Sequence, residues 1–292
     1  MTRRGFTLTE LLVSVAILGT LAALMFPIFR SAIDSAKRTE CGAHFRQIGY
    51  ALTLYLGDYD DRVPPVNYQP VRMDNPIADR TWVQTLLPYT GSLSLFICPS
   101  DIGRTGSESQ MTIEKDGTVA DPWILYYEQS LRSNLGYNYL YLSPLVFLNS
   151  GVWEAFPIRL NEIANKSLTI VFIDSLWDRT NNGVPYGGGS WAVEPPCRYA
   201  MSGGEVKDTF NFPNGTIMYF GFKPEGWAPE ESKMWQTYGG AWPWHRGRFN
   251  VMYADTRVKN VTVSALTQGC DFKPYWEGLI DDSELYPWDI TE

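Results

Sequence analysis

Residues 1–30 read MTRRGFTLTELLVSVAILGTLAALMFPIFR, and this stretch decides the fold. Residues 11–29 are nineteen consecutive positions without a charge. As an α-helix they extend roughly 28 Å, close to the ~30 Å hydrocarbon core of a bilayer. Arg3 and Arg4 precede the run. Basic residues hold the short end of such a helix in the cytoplasm and send the remaining chain outward. No comparable apolar run follows, so the sequence predicts a single span.

A cleaved secretory signal is the ordinary alternative. Three features oppose it. The small residue with suitable flanks is Gly5, which stands before the apolar run. Glu10 lies inside the hydrophobic segment, where an unpaired carboxylate is costly. The helical pattern also continues past Arg30 without a break for cleavage. A plain membrane anchor leaves Glu10 unexplained.

Arg4-Gly5-Phe6-Thr7-Leu8-Thr9-Glu10 followed by the apolar run resembles the class III signal of bacterial type IV pilins and type II secretion pseudopilins. The resemblance implies that a prepilin peptidase cleaves between Gly5 and Phe6 and methylates the new amino group of Phe6. It implies that Glu10 pairs with the terminal amine of a neighbouring subunit during assembly. That is sound physics, because a buried charge needs a partner and a partner supplied only by a neighbour sets register. Gly19 and Pro27 weaken a helix interior. The resemblance implies that the segment between them loses helical structure in the assembled filament.

The rest of the composition fits a secreted head. Aromatic residues make up 14% of the chain, including 11 Trp, which argues against intrinsic disorder. The net charge of -8 argues against a nucleic-acid partner, which favours a basic face. Mean hydropathy of -0.19 excludes a multi-span membrane protein. Two His and four Cys leave little for a His-rich metal centre.

Beyond the span, Cys41, Phe45, Ile48, Leu52, Tyr55 and Tyr59 recur at alternating spacings of 4 and 3, one apolar stripe of an amphipathic helix. Lys37, Arg38, Glu40 and Arg46 occupy the other face. One helix of about fifty residues therefore runs from the membrane into a globular domain, and Pro64-Pro65 prevents its continuation. His44 beside the stripe reads as a solvated or structural residue. Asp58, Asp60 and Asp61 cluster at the helix end. Clustered carboxylates suit calcium, with Asp101 as the extra ligand. No EF-hand pattern is present, and a solvated helix end is the favoured reading. No cofactor and no metal are expected otherwise.

Residues 66–292 read mainly as strands and loops. Residues 136–142 have strand composition, residues 168–173 form a buried strand, and residues 217–222 return to strand. A loop over 103–122 turns at Asp116-Gly117, and residues 178–215 form a long Gly-, Asn- and Pro-rich excursion. Residues 249–254 and 258–263 alternate about Asp255-Thr256-Arg257, a β-hairpin.

His245 followed by nine residues and Asp255 resembles the H-X9-DG segment of a large pilin-like subfamily. Gln47-Ile48-Gly49, Cys98-Pro99-Ser100-Asp101 and Gly136-Tyr137-Asn138 are similar to further segments of that subfamily. Thr256 departs from it. Glycine there relieves a turn with positive φ, so threonine implies a different turn type. His245 and Asp255 are read as a structural pair that fixes the hairpin. The chain has no G-x-S-x-G, no reactive-cysteine signature and no His-rich zinc motif, which disfavours an enzyme.

All four cysteines lie outward of the membrane, where disulfides form. Cys41 on the buried stripe and Cys98 at the head of a subfamily segment favour the pairing Cys41–Cys98 with Cys197–Cys270. A zinc site is the alternative, disfavoured because no C-x-x-C is present. Eight Trp follow residue 170, and the segment from Trp227 to Trp244 is the candidate adhesive or interface patch. Asn165, Asn214 and Asn260 head N-x-S/T triplets, a pattern that arises often by chance.

The sequence therefore reads as an α+β, type IV pilin-like chain without enzymatic activity: a long N-terminal helix packed on an antiparallel β-sheet head with long loops. Residues 1–5 are the leader, 6–30 the transmembrane and filament-core helix, 31–62 its amphipathic continuation and 63–292 the extracellular head. It sits in the inner membrane as a single-pass precursor with a cytoplasmic N-terminus. Its partners are then prepilin peptidase, the pilus assembly machinery and further copies of itself in an extracellular filament. A pseudopilin of a secretion system and a membrane-tethered glycan-binding module are the rival readings.

Overall fold

A computed structural model of the chain describes residues 7–67, 80–101, 133–176, 188–219, 238–273 and 278–290. Helix α1 spans Leu8–Asp58, 51 residues, or about 76 Å at ~1.5 Å per residue. Thr7 caps it: the Glu10 backbone N–H donates to Thr7 Oγ1 at 3.3 Å, and the Thr7 N–H donates to Glu10 Oε2 at 2.9 Å. The single chain is helical through Gly19 and Pro27. Loss of helix between those residues is expected only of the assembled state.

α1 has two unlike halves. From Leu8 to Glu40 its residues are exposed, apart from half-buried Ser31 and Lys37. Cys41, Phe45, Ile48, Leu52 and Tyr55 are then buried in the head, as one stripe. Tyr59, the last of the stripe, is exposed and stacks on Tyr55 with ring centroids 4.3 Å apart. α1 is the one helix among the described residues long and apolar enough to cross a membrane.

The head begins with α2 (Trp82–Thr90), which ends at left-handed Gly91, and a 3-10 turn over Leu93–Phe96. Its central sheet has the order β1 (Leu135–Tyr137), β4 (Ile170–Asp174), β8 (Phe249–Tyr253), β9 (Val258–Val261), all antiparallel. The buried half of α1 meets this sheet at Gly49. A Cβ on Gly49 would stand 3.0 Å from Met252 Sδ on β8, so helix and strand approach closely there. A second sheet has the order β3 (Trp153–Ala155), β2 (Leu145–Leu148), β7 (Gly215–Ile217). A third holds β10 (Leu279–Ile280), β5 (Tyr199–Ser202) and β6 (Glu205–Asp208), with β10 parallel to β5.

The core centres on Trp82, which stacks on Phe172 of β4 at 4.4 Å and donates its indole N–H to the Trp191 carbonyl. All five residues of β4 are buried, as expected of an apolar run closed by a charge. Of residues 136–142, expected as strand, Gly136 and Tyr137 lie in β1 and the remainder departs from strand. Tyr139–Leu142 form a short helix, α3, after Asn138. The Asn138 amide donates to the carbonyls of Ile170 and Trp288, and these bonds bind the corner to β4 and the C-terminal segment. A second short helix, α4 (Val263–Leu266), follows β9. Cys197 and Cys270 form a disulfide that ties the long excursion to the segment after α4. The expected turn at Asp116-Gly117 lies outside the described residues.

Thr256 corrects the expectation for the β8–β9 turn. Its φ is 65°, the left-handed region that glycine favours. The turn keeps its geometry, and threonine accepts the strained conformation.

Candidate functional site

Two regions carry chemistry. The first is the exposed half of α1. Gly5 and Phe6, the expected cleavage and methylation positions, lie outside the described residues. Glu10 is exposed on the first turn, and its carboxylate accepts the Thr7 hydroxyl at 2.7 Å. Leu11, Leu18, Leu24, Ile28 and Phe29 are each more than half exposed in the apolar segment that follows. An apolar face of this length stays out of water only in a bilayer or against other helices.

The second region is a buried cluster of four side chains brought together by four distant segments. Cys41 is the first buried residue of α1. Cys98 follows the 3-10 turn, and its N–H donates to Asn134 Oδ1 at 2.9 Å. Asp174 ends β4. His245 lies in the turn that leads into β8. Their ligating atoms all fall within 4.8 Å of one another. The Cys41 sulfur is 3.5 Å from Asp174 Oδ1, the Cys98 sulfur is 3.6 Å from His245 Nε2, and His245 Nε2 is 3.6 Å from Asp174 Oδ2.

Surrounding groups orient the cluster. The Asn250 backbone N–H donates to Asp174 Oδ2 at 2.6 Å, and Ser100 Oγ stands 3.4 Å from His245 Nδ1. His44 Nδ1 meets the Ile97 carbonyl at 3.0 Å and fastens α1 to the Cys98 segment. Burial pushes the Asp174 carboxyl up to about 8, against the opposing pull of Asn250 and Cys41. Burial and the Arg38 charge lower His245 to about 4. The hydrogen bond with Cys98, burial and the Asp174 charge raise the Cys41 thiol.

Two site expectations are corrected here. Cys41 and Cys98 are adjacent, buried and reduced, so the expected Cys41–Cys98 disulfide is not formed. His245 faces Asp174, not Asp255. A strand of five residues, β8, separates His245 from Asp255 and spans about 17 Å. Asp255 instead accepts the Arg257 N–H at 3.1 Å across the turn. The weak calcium candidates do not converge among the described residues. Asp58 accepts the Tyr89 hydroxyl at 2.7 Å, while Asp101 accepts from Asn134 and Gly188. Asp60 and Asp61 occupy left-handed turn positions.

Asp174 was the residue that sequence reading missed. Its signal was a carboxylate closing a fully apolar run, which serves equally as a strand boundary. A cleft of 340 Å³ adjoins the cluster, lined by Lys37, Arg38, Ser100, Trp242, Trp244 and His245. Trp242 and Trp244 are the described part of the expected aromatic patch; Trp227 and Trp235 lie outside the described residues. The Trp244 indole donates to the Ser175 carbonyl at 2.8 Å, so its polar edge is engaged within the head.

Residues 1–26 match the prokaryotic N-terminal methylation motif. No curated protein and no solved structure matches the chain. The motif at the start of a long apolar helix, with antiparallel sheets behind it, is consistent with a type IV prepilin-like protein. It implies processing by prepilin peptidase and is consistent with insertion in a membrane.

Proposed function

We propose that this prepilin-like chain is the structural subunit of a type IV pilus-like extracellular filament, with no enzymatic role. Residues 1–5 are its leader, 6–30 its membrane and filament-core helix, 31–62 the amphipathic continuation and 63–292 the head. Peptidase removes the leader at Gly5 and methylates Phe6. The mature chain leaves the inner membrane by exchanging lipid for neighbouring helices around the exposed half of α1. The observation that carries this reading is residues 11–29 of that segment: free of charge, helical throughout and exposed along their length.

Because the apolar segment moves from lipid to helix neighbours and not out of water, close side-chain packing between helices supplies the energy of assembly. Glu10 supplies the register, because a carboxylate in that apolar environment is stable only beside the amine of a neighbour. Helix between Gly19 and Pro27 yields on assembly, where proline already lacks one backbone donor.

Electron microscopy of the sheared surface fraction tests the proposal. Filaments labelled by an antibody to the head are expected. A fraction without filaments, from cells that hold the processed chain in the membrane, contradicts a surface filament and favours a short periplasmic pseudopilus.

A further inference from the structure

We propose that Cys41, Cys98, Asp174 and His245 form a structural zinc site that clamps the helix to the head where the helix enters it. The donor set is two thiolates, one imidazole and one carboxylate, which suits a tetrahedral zinc ion and not the hard cations calcium and magnesium. The spacing of the donors is specific. Zinc–sulfur bonds of about 2.3 Å and zinc–nitrogen or zinc–oxygen bonds of about 2.0–2.1 Å, at tetrahedral angles, place ligand atoms roughly 3.3–3.6 Å apart. Two observed separations fall there, 3.5 Å from Cys41 Sγ to Asp174 Oδ1 and 3.6 Å from Cys98 Sγ to His245 Nε2, and all four ligand atoms lie within 4.8 Å of one another. The imidazole–carboxylate separation is longer than a nitrogen–oxygen hydrogen bond, although both groups are buried. A shared cation between them accounts for that gap.

The second layer fits the same reading. Ser100 holds Nδ1 of His245 and leaves Nε2 for the metal. The Asn250 N–H takes one oxygen of Asp174 and leaves the other facing Cys41. Lys37 and Arg38 line the adjoining cleft and offset the net negative charge of two thiolates and a carboxylate around a divalent ion. That cleft reaches His245 and Ser100 at the edge of the cluster. Four protein ligands close the coordination sphere, as in structural rather than catalytic zinc. The absence of a C-x-x-C misdirected the sequence reading, because the ligands arrive singly from α1, the Cys98 segment, β4 and the turn before β8.

The site has a mechanical consequence. Cys41 is the first residue of α1 buried in the head. Force carried along a filament helix enters the head at that point, and a metal bridge there joins the helix to the central sheet.

The full-length chain, solubilised in detergent and purified without chelator, is assayed by elemental mass spectrometry and then exchanged with cobalt. We expect one zinc per chain, and with cobalt the intense visible bands of a tetrahedral site with thiolate ligands. Cys41 and Cys98 should resist a thiol reagent until chelator is added. Cys98→Ala should lower metal retention at least about 100-fold, with the thiolate bands weakened. Peptide mapping that finds Cys41 joined to Cys98 in the wild-type chain would overturn the proposal. So would two reactive thiols in zinc-treated protein without bound metal. The wild-type measurements decide the matter even if Cys98→Ala fails to fold.

Discussion

His245 Nε2 stands 3.6 Å from Asp174 Oδ2, while Asp255, ten positions along the same segment, lies past the far end of β8. The pair therefore joins the C-terminal hairpin to the centre of the sheet. It does not close the hairpin on itself.

This relationship separates two substitutions. His245→Ala removes a side chain only 1% exposed and leaves the wholly buried Asp174 short of a polar neighbour, a loss of about 2–4 kcal/mol. Asp255→Ala touches an exposed turn and should stay within about 1 kcal/mol of the parent. Chemical denaturation of the two variants should show that order; equal losses would return the structural role to Asp255.

Thr256 at φ 65° holds a β-branched residue in the left-handed region, at a cost of roughly 1–2 kcal/mol. Thr256→Gly relieves that strain and should raise the melting temperature of the head. A lower melting temperature would mean that the packing of Thr256 beside Gly49 outweighs the backbone cost.

Gly189 has the opposite character. A Cβ there would sit 1.9 Å from the Ser133 carbonyl oxygen and 2.3 Å from Asn134 Cα, both backbone atoms with no freedom to retreat. Gly189→Ala should therefore cost about 3 kcal/mol or more. The segment it displaces includes Asn134, which positions Cys98, so thiol accessibility at Cys98 should rise with the loss of stability. A fully stable variant with protected thiols would contradict the close packing.

Glu10 lies far from the head, on a segment with no contact to the core, so Glu10→Ala should loosen the first turn that it caps with Thr7 and leave the fold and melting temperature of the head unchanged. It should also leave the chain in the membrane fraction, because removal of a charge favours insertion. Filament yield in the sheared fraction should fall to background. Undiminished filaments would take the assembly role away from Glu10.

Much of this was legible in the chain. A charge-free run of nineteen residues and a stripe at spacings of 4 and 3 dictate a helix with two environments, because both signals depend only on local periodicity. The β8–β9 hairpin and buried β4 followed from alternation and from an apolar run. The cluster around Cys41 was not legible. Its members are separated by 57, 76 and 71 positions, and nothing in the local pattern says that β4 ends beside the turn before β8. The H-X9-D spacing suggested a local pair, but an extended strand between the two residues holds them apart. Asn138 broke an expected strand through hydrogen bonds to Ile170 and Trp288, partners that only the tertiary fold supplies.

Processing as a prepilin comes before every later step of assembly as a subunit. Mass spectrometry of the N-terminal peptide from the mature membrane or filament protein tests it most directly. The expected peptide begins at Phe6 with one methyl group on its amine. A peptide that begins at Met1, or at any residue beyond 30, would contradict it.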